Sequence, residues 1–143
     1  MHLPTWPFFL VAWLGDAAAV VLIAVRTIRL GDGSYLFANP VACHQIAEAM
    51  NLPVLIMVLN NREWGAVRQS VLGLYPDGHA ARINRMPLTS LEPTPDFTLV
   101  ARASRAWTAS VHQAAELPAG LAAAIRHVTT ARTQALIEIR VAP

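Results

Sequence analysis

The continuous apolar run PVLIMVL at residues 53–59 constrains the fold of this chain more than any other feature. Strands that are buried on both faces of a parallel sheet have this composition, because helices cover both sides of such a sheet. A β-branched run at 20–30, VVLIAVRTIRL, ends at Gly31 and predicts a second strand. Between the two runs, Asn39 and Pro40 predict the start of a helix, and apolar residues follow at helical spacing. The order strand, helix, strand indicates a βαβ unit.

The rest of the chain continues the alternation after a segment of different composition. Residues 70–96 hold four prolines and little periodicity, which predicts a long loop or lid. A helix capped by Asp96, a short strand in WTASV, a helix at 116–128 and a closing strand at 134–141 are predicted to follow. This alternation predicts an α/β three-layer αβα sandwich with a mostly parallel sheet.

The composition argues against several classes of protein. With 55% hydrophobic and 14% charged residues, the chain is too apolar for a disordered segment. The basic residues are scattered arginines and the net charge is only +2, so we expect no nucleic-acid partner. The apolar stretch at 8–25 raises the question of a membrane span, but Asp16 near its middle argues against one. The single cysteine, Cys43, excludes an internal disulfide and suits a reducing compartment, so we expect a cytoplasmic protein.

Polar residues follow both predicted strands of the βαβ unit. Gly-Asp-Gly at 31–33 follows the first strand, and Asn-Asn at 60–61 follows the second. Because the carboxyl ends of parallel strands lie at one edge of the sheet, we expect the two groups to converge there. Asp32, an asparagine amide and a nearby backbone carbonyl would give Mg²⁺ an incomplete oxygen set, which phosphate oxygens could complete. The glycines permit close backbone approach, and Ser34 with free amides can donate to a diphosphate. A metal–diphosphate site is therefore predicted.

These residues, GDGS followed by an apolar run that ends in NN, resemble a known motif. It is the thiamine diphosphate (ThDP) motif of acetolactate synthase-like and benzoylformate decarboxylase-like enzymes. The resemblance covers residues 31–143 and identifies them with the C-terminal pyrophosphate-binding (PP) domain of those enzymes. It implies the ThDP-binding fold, incomplete at the N-terminus in one interpretation, with ThDP and Mg²⁺ as cofactors. Residues 1–30 are an atypical apolar segment in which this likeness is lost.

The resemblance also implies roles for individual residues. The metal ligands would be the carboxylate of Asp32, the side-chain amide of Asn61 and the backbone carbonyl of Glu63. Asn60 would hold the turn, and Trp64 would lie near the cofactor or, alternatively, pack in the core. The implied cofactor-binding residues are Gly31, Asp32, Gly33, Ser34, Asn61, Glu63, Trp64 and Gly65.

A chain of this kind is expected to hold half of an active site. In the enzymes that it resembles, the catalytic glutamate belongs to a pyrimidine-binding (PYR) domain, which has no counterpart in this sequence. The implied function is ThDP and Mg²⁺ binding within a lyase or transferase that decarboxylates a 2-oxoacid or joins it to a second carbonyl. We expect the chain to be inactive without a PYR domain or subunit, and to form a homo- or hetero-oligomer. A fragment, the PP subunit of a split enzyme and the product of a damaged gene remain alternative origins.

Two other functions remain as alternatives from the sequence. The first is a non-catalytic α/β module that uses the fold for association only. The second is a phosphate-ester hydrolase with Asp32 as nucleophile, which is disfavoured because the chain has no lysine and no second carboxylate two residues away. Cys43 and His44 fall within the predicted helix, where we expect a small buried thiol and a partly exposed imidazole rather than a catalytic pair.

Overall fold

Four parallel strands form one sheet in the part of the chain that this computed structural model describes, residues 26–83, 86 and 88–142. The strands are β1 (Arg26–Gly31), β2 (Val54–Asn60), β3 (Trp107–Val111) and β4 (Ala135–Arg140). Their spatial order is β1-β2-β4-β3, and each neighbouring pair is parallel. The predicted parallel α/β sheet is therefore confirmed.

Helices cover both faces of this sheet. They are α1 (Asp32–Phe37), α2 (Pro40–Ala49), α3 (Gly65–Leu74), α4 (His79–Arg82), α5 (Phe97–Arg102) and α6 (Leu117–Thr130), with a 3₁₀ turn at Ala114–Glu116 before α6. Helices α1, α2 and α5 contribute to the hydrophobic core on one face, and α6 packs on the other. The connection from β1 to β2 and the connection from β2 to β3 run across the sheet in one direction, and the connection from β3 to β4 runs in the other. Because parallel crossovers are right-handed, this reversal places α6, which connects β3 to β4, on the opposite face of the sheet. The three-layer arrangement follows from this reversal.

The two central strands, β2 and β4, are buried on both faces, as the apolar run of β2 predicted. Side chains alternate along a strand, so each central strand contributes to two separate core clusters. The cluster beneath α1, α2 and α5 comprises Tyr35, Ala47, Val54, Ile56, Val58, Phe97, Ala101, Ala106 and Leu136. The cluster beneath α6 comprises Leu55, Val111, Ala124, Val128, Ala135, Ile137 and Ile139.

Strand β1 lies at the edge of the sheet. Its residues are largely exposed, and Arg26 and Arg29 therefore bury no charge. Residues 20–25 of the predicted strand lie outside the described residues, as does the apolar stretch at 8–25. Among the helices of the described ranges, none has the length and apolar character that a membrane crossing requires.

The segment predicted as one long loop is partly helical. Helix α3 continues to Leu74, and α4 spans His79–Arg82. Neither helix has a buried residue, so the core-facing periodicity that identifies a helix in a sequence is missing from this segment. The remaining described residues before Asp96 are turns and irregular chain.

The caps of α2 and α5, and the burial of two residues of α2, can be compared with the predictions from the sequence. The Asp96 carboxylate accepts a hydrogen bond from the Leu99 amide (3.0 Å), which confirms it as the N-cap of α5. Asn39 precedes α2 as predicted, but it has φ 53° and its side chain makes no capping bond. The expectation for Cys43 and His44 is wrong in both parts, since the thiol is exposed and the imidazole is buried. The reason is the orientation of α2, whose buried residues are His44 and Ala47, one turn apart.

Candidate functional site

The two polar groups that follow β1 and β2 meet at the carboxyl edge of the sheet. Gly31 pairs in register with Leu59, so both strands end at the same level. The Arg62 amide, just beyond β2, donates a 2.7 Å hydrogen bond to Oδ2 of Asp32. The convergence predicted from the βαβ unit is thereby confirmed.

Asp32 is a buried carboxylate in the first turn of α1, with 2% of its surface exposed. Its Oδ1 accepts a 2.9 Å hydrogen bond from the Gly33 amide, in addition to the bond from Arg62 to Oδ2. Each carboxylate oxygen has two lone pairs, so both retain the capacity to bind a cation. Asp32 takes part in none of the ion pairs Arg62–Glu92, Arg68–Glu63 and Arg105–Glu48.

The two asparagines after β2 have different surroundings. Asn60 is fully buried, and its Oδ1 accepts a 3.0 Å hydrogen bond from the Arg62 amide, so it holds the turn as expected. Asn61 is half-buried, and its Oδ1 accepts from the Glu63 amide at 3.2 Å. The Asn61 oxygen retains a second lone pair for a cation.

The backbone of Glu63 is oriented by a short antiparallel bridge to Ser90. The hydrogen bonds of this bridge are made by its neighbours, from the Trp64 amide to the Thr89 carbonyl (2.7 Å) and from the Leu91 amide to the Arg62 carbonyl (2.9 Å). In such a non-hydrogen-bonded pair, the amide and carbonyl of the bridged residue point away from the partner segment. The Glu63 amide bonds to Asn61, so we infer that the Glu63 carbonyl faces the same side.

The glycines of the predicted site have separate surroundings. Among the described residues, a Cβ on Gly31 would meet nothing within 4 Å, so this part of the structure leaves the space beside the backbone open. A Cβ on Gly33 would lie 2.6 Å from Cε3 of Trp64, so the indole packs directly on that glycine. A Cβ on Gly65, the first residue of α3, would lie 3.2 Å from the side-chain nitrogen of Asn61. Ser34 is exposed in the first turn of α1.

The residues present fit a magnesium–diphosphate group. Asp32, Asn61 and the Glu63 carbonyl offer the hard oxygen ligands that Mg²⁺ prefers, and Gly31, with open space beside it, directly precedes Asp32 in the chain. No group of three or more His, Cys, Asp or Glu side chains within the described ranges could hold a metal. A metal at this edge would therefore depend on amide and carbonyl oxygens beside one carboxylate.

A buried polar network behind α1 was not predicted from the sequence. The Gln134 side-chain nitrogen donates to the carbonyls of His44 (3.0 Å) and Ser104 (2.9 Å), which orients its Oε1 as the acceptor for Nδ1 of His44 (2.6 Å). Nε2 of the neutral imidazole then accepts a 2.7 Å hydrogen bond from the Tyr35 hydroxyl. Burial lowers the pKa of His44 and raises the pKa of Tyr35. The network attaches α1, which carries Asp32, to α2 and to the start of β4.

A second buried polar group was also missed. Glu138 of β4 is 8% exposed, and its Oε1 accepts a 2.6 Å hydrogen bond from the side-chain nitrogen of Asn60. Its other oxygen accepts from the Ser110 hydroxyl at 3.2 Å. A carboxylate inside the otherwise apolar run ALIEI was a visible signal in the sequence, but nothing local indicated its partners.

Comparisons with known proteins identify the family and the fold of this chain. Residues 16–139 match the family described as thiamine pyrophosphate enzyme, C-terminal TPP binding domain; the match begins upstream of Gly31. No curated protein gave a significant match.

Two solved structures share the fold. The thiamine diphosphate-dependent 4-hydroxybenzoylformate decarboxylase of Rhodococcus jostii RHA1 aligns with a TM-score of 0.65 and 23% identity, covering 86% of this chain and 21% of that one. The benzoylformate decarboxylase of Polynucleobacter necessarius aligns with a TM-score of 0.63 and 20% identity, covering 81% and 19%. This chain thus spans about a fifth of the length of either enzyme. The family match covers most of the chain, and the protein belongs to the C-terminal TPP-binding domains of thiamine pyrophosphate enzymes.

Proposed function

We propose that this chain binds the diphosphate of ThDP through Mg²⁺, as the PP domain of an acetolactate synthase-like or benzoylformate decarboxylase-like enzyme. The observation that carries the proposal is the 2.7 Å hydrogen bond between the Asp32 carboxylate and the Arg62 amide. It holds the buried carboxylate against the Asn60–Asn61 turn, at the sheet edge where open α/β proteins bind ligands. The family match and the two decarboxylase structures support the cofactor and the reaction class.

In this proposal each residue has a defined task. Asp32, Asn61 and the Glu63 carbonyl hold Mg²⁺, and the metal leaves positions for diphosphate oxygens. Gly31 leaves room for the diphosphate, while Ser34 offers a hydroxyl from an exposed position. When bound, ThDP supplies an electron sink for decarboxylating a 2-oxoacid or for joining it to a second carbonyl.

The proposed domain comprises residues 31–143, with the segment at 70–96 as a lid. Helices α3 and α4 have no buried residues, as suits a segment that closes over a ligand. We propose that catalysis requires a PYR domain or subunit, within a homo- or hetero-oligomer in the cytoplasm. Exposed apolar side chains on α1 and α2, including Phe37 (86%) and Val41 (58%), support a protein partner.

Calorimetric titration of the chain with ThDP, with and without Mg²⁺, tests the proposal. We expect binding that requires Mg²⁺ and is lost in Asp32→Ala and Asn61→Ala, because each removes a metal-ligating oxygen. Glu48→Ala, which removes a carboxylate near the C-terminal end of α2 that pairs with Arg105, is the control and should bind as the wild type does. Binding that is independent of Mg²⁺, or equal in Asp32→Ala, would overturn the proposed site, and no binding at all would favour an association module.

A further inference from the structure

Three polar side chains lie side by side on one face of the sheet, near its carboxyl edge. Glu138 of β4 is the register partner of Val58 in β2 and of Ser110 in β3. Asn60 lies two residues beyond Val58, so its side chain projects from the same face. This is the face covered by α1, α2 and α5, which also carries Val58 in its core. Asn60 and Glu138 are buried and Ser110, on the edge strand, is exposed, so the three form a polar strip that runs from the core to the surface.

The carboxylate of Glu138 determines which way the Asn60 amide points. The Asn60 nitrogen donates to Oε1 of Glu138 at 2.6 Å, where the carboxylate oxygen is the acceptor. The Asn60 oxygen is then directed to the Arg62 amide, which can only donate, at 3.0 Å. A reversed Asn60 amide would put two acceptors together at one end and two donors at the other.

The Arg62 amide connects the side chain of Asn60 to the carboxylate of Asp32. It donates to both Asn60 Oδ1 (3.0 Å) and Asp32 Oδ2 (2.7 Å). Arg62 has φ 63°, a left-handed conformation that is unfavourable for a residue with a side chain and therefore depends on its surroundings. We propose that Glu138 is a positioning residue for Asp32, which it orients through Asn60 and the Arg62 amide. The proposal rests on the proposed metal-binding role of Asp32.

Three variants separate this role from general stability. Glu138→Leu keeps a side chain of comparable bulk but removes the acceptor, so the Asn60 nitrogen loses the hydrogen bond that anchors this side chain. Glu138→Gln keeps an acceptor oxygen for Asn60 and can donate to the Ser110 hydroxyl, so it should rescue the arrangement. Ile137→Val is the matched control, because it perturbs the same buried strand on the opposite face. Asn60→Ala interrupts the same connection and supplies the test should Glu138→Leu fail to fold.

The first measurement needs no ligand. Amide hydrogen exchange at Arg62 should become at least about fivefold faster in Glu138→Leu and Asn60→Ala, because Asn60→Ala removes one of the two acceptors of this amide and Glu138→Leu releases the side chain that carries it. It should stay near the wild-type rate in Glu138→Gln and Ile137→Val. Equal exchange in the wild type and Glu138→Leu would overturn the proposal, whatever the chain binds.

The second measurement is the affinity for Mn²⁺ in the presence of ThDP, followed by electron paramagnetic resonance. Replacing a group that orients a metal ligand typically costs about 10- to 100-fold in affinity, so we expect at least a tenfold loss in Glu138→Leu. Glu138→Gln and Ile137→Val should stay within about threefold of the wild type. Wild-type affinity in Glu138→Leu would overturn the positioning role. Absence of Mn²⁺ binding in the wild type would instead overturn the proposed function, and Arg62 exchange would still decide whether the connection exists.

Discussion

Replacing Gly33 with Ala is expected to destabilise the protein because the Trp64 indole occupies the space of the new methyl group. The added Cβ would lie 2.6 Å from Cε3 and 2.9 Å from Cζ3 of Trp64, so the indole must move. Overpacking of this kind lowers the free energy of unfolding by about 1–3 kcal/mol. Replacing a glycine inside a helix with Ala raises it by about 0.5–1 kcal/mol, because Ala favours the helix. Mid-range values leave a net loss of about 1 kcal/mol in the free energy of unfolding, or about 2–4 °C in Tm.

Urea denaturation followed by far-ultraviolet circular dichroism measures this loss. Gly31→Ala is the matched control, because its Cβ would meet nothing within 4 Å and its φ of −70° suits any residue. We expect the control to stay within about 0.5 kcal/mol of the wild type.

A double-mutant cycle identifies the cause of the loss. In a Trp64→Ala background the clash is absent, so Gly33→Ala should be neutral or stabilising there. The explanation would be refuted if Gly33→Ala were as stable as the wild type, or if its cost were the same with and without the indole.

Three further perturbations concern the buried network and a helix cap. Tyr35→Phe removes the hydroxyl 2.7 Å from Nε2 of His44, and the unpaired buried nitrogen should cost about 1–3 kcal/mol in urea denaturation. Burial lowers the pKa of His44 in the folded protein. Below about pH 6.5 the unfolded chain therefore binds a proton at this residue more readily than the folded chain, and the free energy of unfolding should decrease as the pH is lowered. Unfolding free energies measured from pH 7 to pH 5 should fall less steeply in His44→Asn; equal slopes would contradict this cause. Asp96→Ala removes the acceptor of the Leu99 amide and should lower the free energy of unfolding by about 1 kcal/mol. A thermal melt in which Tm is unchanged would contradict this.

The parallel βαβ unit and the convergence of its polar ends were predictable from local sequence signals. The apolar run of β2 identifies a central strand, and the glycines and asparagines mark where β1 and β2 end. Once two strands are parallel and adjacent, their carboxyl ends share an edge, so the contact between Asp32 and the Arg62 amide needs little further information. The metal-ligating roles of Asp32, Asn61 and Glu63 stay predictions until a ligand is measured.

The buried networks could not be predicted because their partners lie far apart along the chain. His44 and Gln134 are 90 residues apart, and Asn60 and Glu138 are 78 residues apart. In the sequence, His44 is an ordinary polar residue on an amphipathic helix, and its burial depends on how α2 packs against α5 and meets Gln134. The helical parts of the segment at 70–96 were missed for the opposite reason, since α3 and α4 bury no side chain and lack a core-facing pattern.

The most direct test of the proposed metal site is a crystal structure of the chain with ThDP and Mn²⁺, with data collected at the manganese absorption edge. Asp32, Asn61 and the Glu63 carbonyl supply oxygen ligands of the kind that suit Mg²⁺ and Mn²⁺. We predict one anomalous peak within coordination distance of these three oxygens, with the diphosphate beside Gly31. A diphosphate bound elsewhere, or a manganese peak away from Asp32, would contradict the proposed site.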